Sequence, residues 1–354
     1  MLPVEMERVL QMIGRQVVEV GIASLSDVGA TTMDVGRRTR EIVRYAVLAD
    51  ELGLDVFGLG EHHGEDFAVS SPAVVLAAVA QGTRRIRLAS ATTVLTTLDP
   101  VRVHEDFATL DLLSQGRAEI VVGRSAYPDP FALFGVDLAD YDEVFAEKLD
   151  LLLRLREQPR ITWNGRHRPA LQDAAVVPRP HQEQLPVWLG VGGSPASLER
   201  AGRLGLPMML GLIGGTIERA RAAVELYRSA GERAGHDPSV LKVGLATHLL
   251  VTTDRASALA AYPNYRSFLA PKRPGAPGFI VDQATFEAGM SPSGVLMIGS
   301  TEAVAEKALR MRDLLGADRI LSLADWGGLA PGRVEDSIAR FAQHVAPTLR
   351  KDSL

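Results

Sequence analysis

Cysteine is absent from this 354-residue chain, which excludes disulfides, thiolate metal ligands and cysteine nucleophiles. No apolar run approaches the ~20 residues needed to cross a bilayer, and Met1–Arg15 carries no signal-peptide pattern. A cytoplasmic location is therefore the expectation. The net charge is −5, with both signs interspersed and no basic stripe, which argues against a nucleic-acid partner. No Pro/Gly/Ser-rich linker divides the chain, so residues 1–354 are expected to form one domain. No G-x-G-x-x-G follows a strand candidate, so a nicotinamide-binding fingerprint is also lacking.

What is present is an alternation. Strand candidates at Val17–Ala23, Val56–Gly60, Ile86–Leu95, Ala118–Gly123, Val187–Val191, Pro207–Leu210, Val243–Val251 and Arg319–Leu323 each precede a helical stretch. Eight such units favour an α/β fold of the closed (β/α)8 TIM-barrel type over an open doubly wound sheet. Ser71-Pro72, Asp99-Pro100 and Ser194-Pro195 each offer a capping side chain followed by a residue whose missing N–H costs nothing in a first helical turn. Gly53 and Gly116 stop two of the helices.

Two insertions break the rhythm. Ile161–Leu171 has Asn164-Gly165 between β-prone flanks, a hairpin signal. Tyr262–Gly294 is rich in Pro and Gly, and a connection this long after a barrel strand reads as a lid, a binding loop or disorder at the active-site rim.

Barrel enzymes work at the C-terminal ends of their strands. There the sequence places Glu61-His62-His63, Ala91-Thr92-Thr93, Gly123-Arg124-Ser125, Gly192-Gly193-Ser194 and Asp325-Trp326-Gly327-Gly328. Gly192-Gly193-Ser194-Pro195 joins a strand to a helix N-terminus, where free amides, the helix dipole and the Ser194 hydroxyl suit a phosphate. Arg124 brings a guanidinium to the same mouth. Tight βα turns carry glycine for steric reasons too, so the motif alone is weak.

Side chains alternate along a strand, so Glu61 and His63 share one side and His62 takes the other. That favours His62 as a general acid/base over a metal ligand or a purely structural residue. His104-Glu105-Asp106 lies on the flank of a helix whose buried stripe is Val103, Phe107 and Leu110, so no metal site is assigned. The helix from Ser71-Pro72 is apolar all round, and its outer face wants a partner. A homodimer or a dimer-based oligomer through helix two and helix three is expected.

Five pieces together carry a resemblance: EHH at Glu61–His63, ASATTVL, DPVRVHEDFATLDLLSQGR, IVVGRSAYPDPFALFG and VWLGVGGSPASLERAGRLGLPMML. The chain resembles the bacterial luciferase-like family of flavin-dependent oxidoreductases from about Val20 to Pro347. The resemblance implies a barrel that binds reduced FMN in its mouth, near a non-prolyl cis peptide at Ala91-Thr92, with Gly123 beside the ring. By the same matching Arg124, Gly192, Gly193 and Ser194 hold the flavin phosphate, and His62 is the catalytic base. A small organic substrate, oxygen and a separate flavin reductase complete the expected monooxygenase. The light-emitting members carry cysteine where this chain has Gly123, and an acidic residue where it has Gly193. Nothing here supports light emission, and the glycine is expected to open space beside the ring. A deazaflavin-dependent dehydrogenase transferring hydride and a non-catalytic flavin-binding barrel are the alternatives.

Overall fold

The computed structural model describes residues 18–29, 34–125, 127–271 and 278–350. Val17 and residues 272–277 of the lid-like segment lie outside them. The barrel strands are β1 (Glu19–Ser24), β2 (Val56–Leu59), β3 (Arg87–Ser90), β5 (Ala118–Gly123), β8 (Val187–Val191), β9 (Met208–Leu212), β10 (Val243–Thr252) and β12 (Arg319–Asp325). Neighbours pair in parallel, and β9 pairs with β10 while β12 pairs with β1, which closes the ring. The fold is an α/β TIM barrel.

Each expected strand is found at its place, with one interruption. The third breaks after Ser90 and resumes as β4 (Thr93–Val94), and the Ala91–Thr92 peptide bond between them is cis.

The outer helices are α1 (Val35–Glu51), α2 (Pro72–Gly82), α3 (Pro100–Ser114), α4 (Asp129–Leu133), α5 (Tyr141–Glu157), α6 (Pro195–Arg203) and α7 (Ile217–Arg233). Asp99 caps α3 by accepting from Val101 N at 2.8 Å. Ser71 and Ser194 do not cap with their side chains, which corrects that expectation. His104 is a second correction: it is buried in α3 rather than on its flank, with Nε2 3.3 Å from Arg179 Nη1. Arg179 in turn donates to the carbonyls of Leu155, Arg156 and Gln158, which close the C-terminal turn of α5.

The hairpin is present as β6 (Arg160–Trp163) against β7 (Leu171–Ala175). Trp163 seats it by packing with Leu151, Leu155, Ile161 and Val176. The lid-like segment holds two helices, α9 (Tyr262–Leu269) and α10 (Gln283–Met290), after a short α8 (Arg255–Leu259). Beyond it β11 (Met297–Ser300) pairs with the end of β10, leading to α11 (Thr301–Leu315) and α12 (Pro331–Arg340). Lys307 of α11 anchors the insertion: its Nζ donates to the carbonyls of Gly289, Met290 and Leu296, satisfying the end of α10.

The barrel interior changes character along its axis. At the N-terminal end Arg319 bridges Glu119 (2.6 Å) and Glu19 (2.6 Å) and lies 4.3 Å over the Trp188 ring, with Arg87 on the other side of Glu119. Paired this way, the buried charges close the bottom. Val56, Ala89, Val121, Met209 and Leu321 fill the middle. Toward the mouth the inward positions become Ala23, Gly58, Ala91, Gly123, Gly190, Gly211 and Ala246. Small residues there admit the Thr92 side chain over Gly123 and Gly190.

Candidate active site

Glu61 organises one wall. Its backbone N–H donates to Thr92 O (3.3 Å), its Oε2 accepts from Val94 N (3.0 Å), and its Oε1 meets His63 Nε2 at 2.8 Å. Glu61 thus ties the end of β2 to Thr92 and Val94, the residues that follow the cis bond. His63 completes the arrangement with its ring edge on Phe134. As alternation demands, Glu61 and His63 share a side.

His62 takes the other side. Its Cε1 lies near Gly60 and Leu25, and Leu25 packs on the interior cluster. The half-buried ring stacks on Phe67 at 4.0 Å and meets the Tyr127 edge at 5.7 Å, while Nδ1 is buried with no hydrogen-bond partner in the protein. Burial, helped by the nearby His63, pushes its pKa from 6.5 down to about 3. The imidazole is therefore neutral at pH 7.

A second wall is built at the ends of β5 and β8. Gly193 has φ +89°, and a Cβ added at Gly192 or Gly193 would meet nothing within 4 Å, so the turn into α6 is open. Ser194 Oγ donates to Ser197 Oγ (2.9 Å), and Arg124 Nη2 donates to the same Ser197 oxygen (2.8 Å). The sequence-predicted Arg124 and Ser194 are thus joined through a residue that was not predicted. Arg124 also pairs with Asp142 and lies 4.8 Å from the Tyr141 ring centroid, so its guanidinium is fixed before any ligand arrives. Ser197 stands three residues into α6 and was visible as a second hydroxyl near the motif. Asp142 and Tyr141 come from α5 and leave no local signal.

Gly123 departs from expectation. A Cβ there would stand 2.5 Å from Thr92 Oγ1, so the Thr92 side chain takes the space that the glycine was expected to open. Asp325 also differs, because its side chain turns to Arg38 Nη2 (2.7 Å) and Ser24 Oγ (2.8 Å) rather than to the mouth. A β-bulge between Ala23 and Ser24 explains the turn. Among the described residues no cluster of three or more His, Asp or Glu could hold a metal ion. Among them too, no helix is long and apolar enough to cross a membrane.

The family model for luciferase-like monooxygenases matches residues 18–345. The chain belongs to that family.

N-acetyl-S-alkylcysteine monooxygenase of Bacillus subtilis (strain 168) is 32% identical over 217 residues, covering 60% of this chain and 62% of that protein. Among solved structures, the monooxygenase RslO1 from Streptomyces bottropensis has a TM-score of 0.80 at 23% identity, covering 93% of this chain and 99% of that one. The oxygenating constituent of 3,6-diketocamphane monooxygenase from Pseudomonas putida, in complex with FMN, has a TM-score of 0.73 at 18% identity, covering 94% and 98%. An F420-dependent secondary alcohol dehydrogenase has a TM-score of 0.70 at 16% identity, covering 94% and 99%. These likenesses establish the barrel for this luciferase-like chain.

Proposed function

We propose that this luciferase-like protein binds reduced FMN in its mouth and uses it with oxygen to oxygenate a small organic substrate. The observation that carries the reading is the Arg124–Ser197–Ser194 chain at the open Gly192–Gly193 turn. The residues fit the cofactor's phosphate, since an oriented guanidinium, a hydroxyl and a helix N-terminus converge on space that a side chain would fill. The FMN-bound diketocamphane monooxygenase supports FMN as the cofactor.

When bound, the flavin supplies the electrons that reduce oxygen. Everything else falls to this chain. Arg124 and Ser194 orient the phosphate end, and Gly211, where an added Cβ would meet only Val191 O at 3.6 Å, leaves room beside the ring. Glu61 holds the Ala91-Thr92 segment in place. His62, a neutral imidazole pressed against Phe67, would hydrogen-bond the reacting group through its unpartnered Nδ1 and relay a proton without resting as imidazolium. The lid-like insertion excludes water. With no nicotinamide fingerprint in the sequence, a separate reductase delivers the reduced flavin.

The proposed enzyme is cytoplasmic and dimeric, with the whole chain acting as one barrel domain. Val74 on α2 is 69% exposed, and Leu112 and Leu113 on the adjacent α3 are 46% and 51% exposed. Such a patch suits a two-fold interface, and sedimentation at micromolar concentration should show a dimer.

Fluorescence titration with FMN and with the deazaflavin F420 tests the cofactor. FMN should bind more tightly; tighter binding of F420 would replace oxygenation with hydride transfer.

A further inference from the structure

His248 is unlike every other histidine in the described residues. It is 0% exposed, and neither Nδ1 nor Nε2 has a hydrogen-bond partner in the protein. Three aromatic rings surround it nearly edge-on: Tyr265 at 5.1 Å and Phe268 at 5.3 Å from α9, and Trp326 at 5.9 Å from the end of β12.

Strand alternation fixes where it sits. Leu245 and Leu249 of β10 pack into the outer core, whereas Ala246 packs on the interior cluster, so His248 takes the inward face one step nearer the mouth. In register beside it on β12 is Leu323, also an interior residue. In an eight-stranded barrel the strand carrying His248 is diametrically opposite β3, whose end holds the Ala91–Thr92 segment. His248 and that segment therefore lie on opposite sides of the barrel ring.

An aromatic cage alone is better served by phenylalanine, which would bury no unpaired polar atom. A neutral imidazole offers one donor and one acceptor, and here both are unused. Burial pushes its pKa down to about 3, so it carries no charge with which to attract an anion. Its natural partner is an uncharged oxygen.

Tyr265 connects this position to open space. Its ring also lines a cavity of about 890 Å³ that reaches the Gly192–Gly193 turn at one end, with largely apolar walls that include Leu212, Ile213, Leu269 and Val281. The Tyr265 hydroxyl is pinned to Ile213 O (2.6 Å), and Asn264 Nδ2 to Gly327 O (2.7 Å), which hold α9 against the rim. Tyr265 therefore stands between the cavity and the imidazole.

We propose that His248 is the substrate-recognising group of the mouth, binding the carbonyl or hydroxyl oxygen of an uncharged apolar molecule that enters from this cavity past Tyr265. The assignment rests on the flavin reading only in calling that molecule the substrate.

The test uses full-length protein without flavin, with histidine labelled with nitrogen-15, and acetophenone, cyclohexanone and benzyl alcohol as probes, benzoate being the charged control. At least one uncharged probe should shift the His248 ring nitrogens, and benzoate should not. His248→Phe should weaken that probe at least tenfold while keeping or raising the melting temperature and leaving FMN affinity unchanged. His248→Gln, which keeps a donor and an acceptor, should recover part of the binding. The proposal is overturned if none of the three probes binds, if His248→Phe binds them as the wild type does, or if the ring nitrogens do not respond. Loss of FMN binding in the wild type would sink the flavin reading alone, because the probe experiment needs no flavin.

Discussion

Thr92 lies over Gly123 so closely that a methyl at position 123 would stand 2.5 Å from its Oγ1, and one at Gly190 would stand 2.6 Å from its Cγ2. One side chain thereby requires glycine on two neighbouring strands, β5 and β8. The stiffness of a β-branched residue limits how far it can yield.

Gly123→Ala and Gly190→Ala should each destabilise the fold by about 1–3 kcal/mol through overpacking. Thr92→Ser removes Cγ2 and keeps Oγ1. It should therefore rescue Gly190→Ala but not Gly123→Ala, as read from denaturant midpoints. Equal rescue of both would contradict the packing described.

Arg124 is shared between Ser197, which belongs to the proposed phosphate site, and Asp142, which competes for its charge. Arg124→Ala should weaken FMN by about 1.5–3 kcal/mol, the range for a hydrogen bond to a charged group, while riboflavin, lacking the phosphate, changes little. Asp142→Asn should act in the opposite direction and tighten FMN. Equal effects on the two flavins would take Arg124 out of the phosphate site.

Acid should unfold this protein through its buried imidazoles. Burial lowers His104 to about 4 and His248 to about 3 from an ordinary 6.5. Below pH 6.5 the unfolded chain gains protons that the native state refuses, so stability falls as pH falls toward those values. Each histidine contributes a loss of about 2 kcal/mol between pH 6.5 and 5. Urea midpoints across that range should drop, and His248→Phe should flatten the slope by one proton's share.

How far the sequence could be read depended on whether the signal was local. Strand and helix boundaries follow from short-range pattern, so the eight barrel strands were legible, as were Glu61–His63 and Gly192–Ser194. The strand β11 was not, because Ile298-Gly299-Ser300 looks like the approach to a capped helix and its pairing with β10 is long-range. The helices α9 and α10 were hidden in a Pro/Gly-rich stretch, where eight residues are too few to show a period. Asp142 and Ser197 reach Arg124 only after three elements have packed together. His248 stood alone in an apolar strand, and its aromatic neighbours come from α9 and from the residue after β12.

In the proposed reaction the barrel uses reduced FMN and oxygen on a small organic substrate, with His62 handling the proton. Rapid mixing of protein-bound reduced FMN with oxygenated buffer, followed by flavin absorbance, tests it most directly. Reoxidation should follow kinetics distinct from those of free reduced FMN, and His62→Ala should change those kinetics while leaving FMN affinity nearly intact. Reoxidation identical to that of the free flavin, with wild type and variant alike, would contradict the account.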